Sequence, residues 1–241
     1  MSSESTDSSD SPAAPAVVSK HVMRGDDAAY LLPMGVFLAF TWAGGQWPAI
    51  YPVTYILKTI LVASLLVGMW RRYTPIRWDY WWLGIIVGVL VVFQWVGMEK
   101  LILQAWPNYP RMPHDVFVPA EHFRSPVMMW SFIAVRWAGA SLMVPVMEEL
   151  FWRDYLWRSL LAPNDFKLAA VGEWDWKVYL IVAVAFGAGV HIEWMTAITC
   201  GLIYGALLVR TRSLGACIIA HGVTNFLLGA YVLMYRDWRF W

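Results

Sequence analysis

The chain has 241 residues, of which 59% are hydrophobic and 15% charged, with a net charge of +1 and a mean hydropathy of +0.51. Soluble domains are about 45–50% apolar, so this excess points to one polytopic membrane domain. The near-neutral charge excludes a nucleic-acid partner, which needs a basic face, and the 17 Trp and 11 Tyr suit the bilayer interfaces.

Residues 1–28 form a compositional block of their own, with Ser2, Ser3, Ser5, Ser8, Ser9 and Ser11 among Glu4, Asp7 and Asp10. Such a stretch buries too little apolar surface to order itself. No basic start leads into an apolar core, so it is not a signal peptide. It reads as a solvated, disordered tail before a membrane domain over 29–241.

Apolar stretches follow at roughly 30–50, 53–70, 80–98, 127–147 continuing to 161, 178–191, 194–209 and 213–234. A helical span takes about 20 residues. The first stretch is interrupted by Pro33, Gly44, Gly45 and Pro48, and 178–191 and 194–209 are each too short for a full span. The fold expected is all-α: a membrane helix bundle of about seven segments, with a short hairpin pair around His191 and a polar cavity inside the membrane. Arg71, Arg72 and Arg77 follow the second stretch and Arg210 and Arg212 the sixth. Four segments lie between, so both clusters fall on one side, which the positive-inside rule makes cytoplasmic. The loop 99–126, with Pro107, Pro110, Pro113, Pro119 and Pro126, is then outside. Cys200 and Cys217 read as small buried hydrophobes.

Ionisable groups within a membrane segment are rare and functional by default. Glu148 and Glu149 stand about 100° apart on a helix and face different partners. Glu149 and Arg153 have the favourable i,i+4 order for an ion pair. That pairing makes Glu149 structural and leaves Glu148 without a local cation, as a general base requires. The plainer alternative is that both acids tie helices together. His191 is flanked by Glu193 and Trp194; alone it could be a hydrogen-bonded core residue. His221 and Asn225 share one helix face and offer two donors toward one point, as oxyanion stabilisation needs, or an interhelical pair. Glu148 lies about 20 Å from the end of its helix and His221 about 14 Å past Arg212, so the groups can converge.

These motifs, Glu148-Glu149-x-x-x-Arg153, an aromatic-plus-His191 element and His221-x-x-x-Asn225, resemble those of the CPBP intramembrane proteases, over about residues 127–235. That family holds the CAAX prenyl endopeptidases and the bacteriocin-processing or immunity proteins. The wording is most similar to the bacterial CAAX prenyl protease-related branch that accompanies exosortase-type sorting systems. The resemblance implies a multi-pass protein of the bacterial inner membrane and a membrane-anchored protein or peptide substrate. Glu148 and His191 would activate water, His221 and Asn225 would hold the oxyanion, and Glu149, Arg153 and Glu193 would support them. Neither metal nor cofactor is implied. A zinc site on Glu148, His191 and His221, a non-catalytic immunity or scaffold protein and a proton pathway stay open as alternatives. Two departures stand out: Phe186 lies five residues before His191 where the family has four, and Asp154 follows Arg153 where Gly is frequent.

Overall fold

The computed structural model describes residues 25–111 and 116–241; most of the expected tail lies outside them. Seven apolar helices follow in order: α1 Gly25–Gln46, α2 Tyr51–Gly68, α3 Trp81–Ala105, α4 Pro126–Leu161, α5 Trp176–Val190, α6 Trp194–Thr211 and α7 Leu214–Tyr235. No strand occurs among the described residues. Six of the seven are long and apolar enough to cross a membrane, and α5, with 15 residues, is the exception. The chain is an integral multi-pass membrane protein. One expectation is corrected: α6 runs on to Thr211 and, at 18 residues, is long enough to cross.

The first helix starts earlier than its apolar stretch because Asp26 and Asp27 occupy its first turn, where carboxylates favour the positive end of the helix dipole. It also continues through Pro33. A proline inside a helix removes the bond to the carbonyl four residues back, here that of Ala29. Tyr73, in the loop after α2, donates its hydroxyl to that carbonyl at 2.8 Å. Burial pushes the Tyr73 phenol up to about 12, so it stays a donor.

The basic clusters share one face. Ser213 Oγ donates to the carbonyls of Arg77 and Asp79 at 2.9 and 2.6 Å, and the Gly215 amide donates to Arg77 at 2.9 Å. The loop carrying Arg71, Arg72 and Arg77 is thereby fastened to the turn after Arg210 and Arg212. From this face α3 and α7 rise side by side. Gly88 lets them touch backbone to backbone: a Cβ there would stand 2.5 Å from the Ala220 carbonyl. That close approach fixes the height of His221, the next residue.

A second buried ion pair locks the basic face. Asp154 and Arg158 are in direct contact with side chains 0% and 5% exposed. Tyr30 donates to Asp154 Oδ2 at 2.8 Å. Arg158 also donates to Thr74 Oγ1 at 2.8 Å and to the carbonyls of Ala169 at 2.8 Å and Lys167 at 3.2 Å. Asp154 therefore ties α1, the 74 loop and the 167–169 turn to α4, which gives its place in the sequence a structural reason. Removing one partner of a buried pair strands the other charge. Asp154→Ala is expected to cost about 3–5 kcal/mol. Asp79→Ala, from the exposed Arg77–Asp79 pair, should cost no more than about 1 kcal/mol. Denaturant unfolding in detergent measures both.

Candidate active site

Glu148, His191, His221 and Asn225 line one cavity of about 210 Å³, whose walls come from helices α2 to α7 and from Phe240 and Trp241. Its remaining wall is largely aromatic, with Trp95, Phe186 and Tyr204 nearest the polar groups.

Each polar side chain is placed by a local backbone feature. The long helix α4 is not uniformly α-helical: π-helical turns at Gly139–Met143 and Leu150–Leu156 bracket Val144–Glu149. Such turns accumulate at functional sites, because the extra residue re-aims the side chains beyond it. In the first π turn the Val144 amide bonds to Gly139. The next bond in that series would run from residue 145 to Ala140, but residue 145 is proline and has no N–H. Asn225 Nδ2 takes the vacated Ala140 carbonyl at 2.8 Å. Pro145 therefore positions Asn225 by releasing its acceptor.

His191 is the residue that ends α5, with extended backbone at φ −114° and ψ 140°. The Phe186 carbonyl, just over one turn back in α5, faces His191 Nδ1 at 2.8 Å. A carbonyl only accepts, so Nδ1 carries a proton and donates it to Phe186. The five-residue spacing from Phe186 to His191 is thus the spacing of a helix-end hydrogen bond. The Phe186 ring also packs on His191, with centroids 4.5 Å apart. The expected turn between the two hairpin helices falls at residues 191–193.

Glu149 is more connected than a simple ion pair. Its Oε1 accepts from Arg153 Nη1 at 3.2 Å and from His221 Nδ1 at 2.9 Å, and its side chain is 0% exposed. The Arg153 guanidinium lies 4.3 Å from the Phe186 ring centre and 5.6 Å from that of Tyr204. Glu149 therefore bridges α4 to α7 and fixes the His221 ring with Nε2 free. Glu148, one residue earlier, faces the cavity. It is buried, and its Oε2 has no hydrogen-bond partner among the described residues. The charged groups that act on it are His221, Glu149, Arg153 and Lys58.

Glu193 does not line the cavity. It lies on the far side of the turn, in the electrostatic field of Glu99 and Arg111. Buried Glu99 accepts from Tyr109 and, at 2.9 Å, from Thr196, with Arg111 at 3.6 Å. Trp194 Nε1 donates to the Pro110 carbonyl at 2.6 Å. This polar cluster holds the turn that carries His191, so Glu193 belongs to its scaffold and not to a pocket around the histidine. Among the described residues no group of three His, Cys, Asp or Glu side chains stands close enough to hold a metal ion.

Residues 130–227 match the family described as type II CAAX prenyl endopeptidase Rce1-like. Over this stretch the chain is similar to that family. The stretch contains every cavity residue named from the motifs and leaves α1 to α3 and the last fourteen residues outside. The family matched is one of endopeptidases, which are hydrolases. The match names the Rce1-like family and no branch within it. No curated protein and no solved structure matches the chain.

Sequence reasoning missed Arg136, Tyr204 and the aromatic pair Phe240 and Trp241, all of which line the cavity of the Rce1-like segment or its mouth. Arg136 had a legible signal, since it is a charge within an apolar run. The aromatic residues had none among 39 of their kind.

Pro145→Ala would restore an N–H that competes with Asn225 for the Ala140 carbonyl. Activity is expected to fall about tenfold, the equivalent of one hydrogen bond, with thermal stability equal or higher. Turnover and unfolding temperature measured on one preparation separate these effects.

Proposed function

We propose that the protein is a glutamate-type intramembrane endopeptidase that hydrolyses a peptide bond of a membrane-anchored substrate, near its C-terminus or its anchor. The observation that carries the reading is the convergence of Glu148, His191, His221 and Asn225 on one cavity, with the Glu148 carboxylate unpartnered among the described residues. A buried carboxylate oxygen without a donor is a group in need of a hydrogen bond, and the water to be activated supplies one.

In this reading water donates to Glu148 and to Nε2 of His191, whose tautomer is set by the Phe186 carbonyl. The water oxygen attacks the scissile carbonyl while its proton passes to Glu148. The carbonyl π electrons move onto oxygen, and the oxyanion is met by His221 Nε2–H and by the Asn225 amide. For that donation His221 carries protons on both nitrogens, one of them held by Glu149. Collapse of the tetrahedral intermediate returns the electrons to carbon and expels the amine, which takes the proton from Glu148. The aromatic wall excludes bulk water, which strengthens these interactions. The roles of Glu149 and Arg153 are then to orient His221 and Glu148. We place the protein in a bacterial inner membrane, with a substrate of the kind an exosortase-type sorting system anchors.

Replacing Glu148 by Gln keeps the shape and removes the base. Cleavage by purified protein in proteoliposomes should fall about 10²- to 10⁴-fold, with folding retained. In cells, mass spectrometry of membrane-protein termini should show fragments that vanish in the Glu148→Gln strain. Identical termini in both strains sink the proposal and leave a binding or immunity role. Chelators are expected to leave the rate unchanged; loss of activity that zinc restores would favour a metal-dependent mechanism.

A further inference from the structure

Arg136 is a cation inside the membrane domain without an ionic partner among the described residues. It lies ten residues into α4 from Pro126, about 15 Å along the helix at 1.5 Å per residue. No side-chain hydrogen bond and no ion pair of Arg136 occurs among the described residues. The neighbouring acid in the C-terminal segment, Asp237, is already taken by Arg239 at 2.8 Å through both oxygens. What surrounds the guanidinium is aromatic: the ring centres of Tyr51, Tyr55 and Trp241 lie 5.4, 4.9 and 5.1 Å away. Aromatic rings attract a guanidinium but accept none of the in-plane hydrogen bonds that its N–H donors can give a planar anion.

Arg136 also shares a wall with the proposed chemistry. Arg136, Ala140, Val144 and Glu148 all line the cavity, at intervals of four. In an unbroken α-helix the first and last would stand about 120° apart. The π turn Gly139–Met143 slackens the winding between them and brings both onto the cavity side. The cavity therefore has a carboxylate at one end and a cation at the other, twelve residues or about 18 Å apart along the axis. An extended peptide advances about 3.3 Å per residue, so about five residues fill that distance.

We propose that Arg136 binds a carboxylate of the substrate and sets the cleavage site about five residues from it. The inference rests on the hydrolytic reading for the word cleavage, but the binding step stands by itself. The anion is a carboxylate on a peptide, either the free terminus or an Asp or Glu side chain. The cavity that Arg136 shares with Glu148 is what favours a peptide anion over a lipid phosphate.

The test is binding to the full-length Glu148→Gln protein in nanodiscs, which separates recognition from turnover. Three labelled Ala/Leu nonapeptides serve as probes: one with a free C-terminal carboxylate, one with a C-terminal amide, and one amide with Glu as its last residue. The free acid should bind about tenfold tighter than the plain amide, the gain of a charge-assisted bidentate contact. Adding Arg136→Gln should bring the two affinities together, and Arg136→Lys should restore part of the gap, which a merely structural arginine would not do. Tight binding of the Glu-amide peptide would identify charge as the recognised feature; weak binding would identify the terminus. Equal affinities in the Arg136 protein, no binding of either peptide, or a preference that survives Arg136→Gln overturns the proposal. With Glu148 intact, mass spectrometry should place the cut about five residues from the carboxylate. Selective binding with no cut at all would fault the hydrolytic reading and leave the role of Arg136 standing.

Discussion

Everything in the site hangs from one carboxylate. Glu149 is fully buried and accepts from both Arg153 and His221. Two charges in an apolar interior are costly unless each is paired and hydrogen-bonded, so this contact has few alternatives. It sets how α7 stands against α4, and with it the height and rotation of His221. It also sends Glu148 the other way, because neighbouring helix residues diverge by about 100°. One residue of the pair is held so that the other can be left free. Phe186 extends the same constraint to α5, since its ring meets Arg153 and its carbonyl holds His191.

The two prolines inside helices have a common function. Pro33 frees the Ala29 carbonyl, and Tyr73 answers it; Pro145 frees the Ala140 carbonyl, and Asn225 answers it. In lipid an unpaired backbone carbonyl costs several kcal/mol, so each vacancy forces a donor to arrive from another segment. A proline in such a helix acts as a socket for a side chain distant in sequence. One socket fixes the loop after α2 to the first helix. The other fixes the amide of the candidate oxyanion site.

Much of this was readable in the chain. The seven helices appeared as apolar stretches because the bilayer demands long runs with few charges. The four cavity residues appeared because charge and amide within such runs are rare. The basic clusters appeared on one face because a count of segments gives parity, and the Arg77–Ser213 contacts join them. What stayed hidden depends on three-dimensional register. The π turns leave no mark in composition, so the alignment of Arg136 with Glu148 could not be seen. Glu193 looked like a partner of His191 because it is two residues away, yet the turn between α5 and α6 points it elsewhere. Asp154 looked like an anomaly because its meaning depends on Tyr30, which reaches it from the first helix, as well as on nearby Arg158.

The helices differ greatly in length, and that difference acts on the lipid. The α4 helix has 36 residues, about 54 Å end to end, and α5 has 15, about 22 Å, against a hydrocarbon layer of about 30 Å. The surplus of α4 is wrapped by the Asp154–Arg158 network and its loops, so it meets protein. The deficit of α5 is filled by the segment at Pro110 that grips Trp194. A helix shorter than the hydrocarbon layer needs either a thinner bilayer or a neighbouring segment beside it, and at the His191 end of α5 the protein supplies the segment.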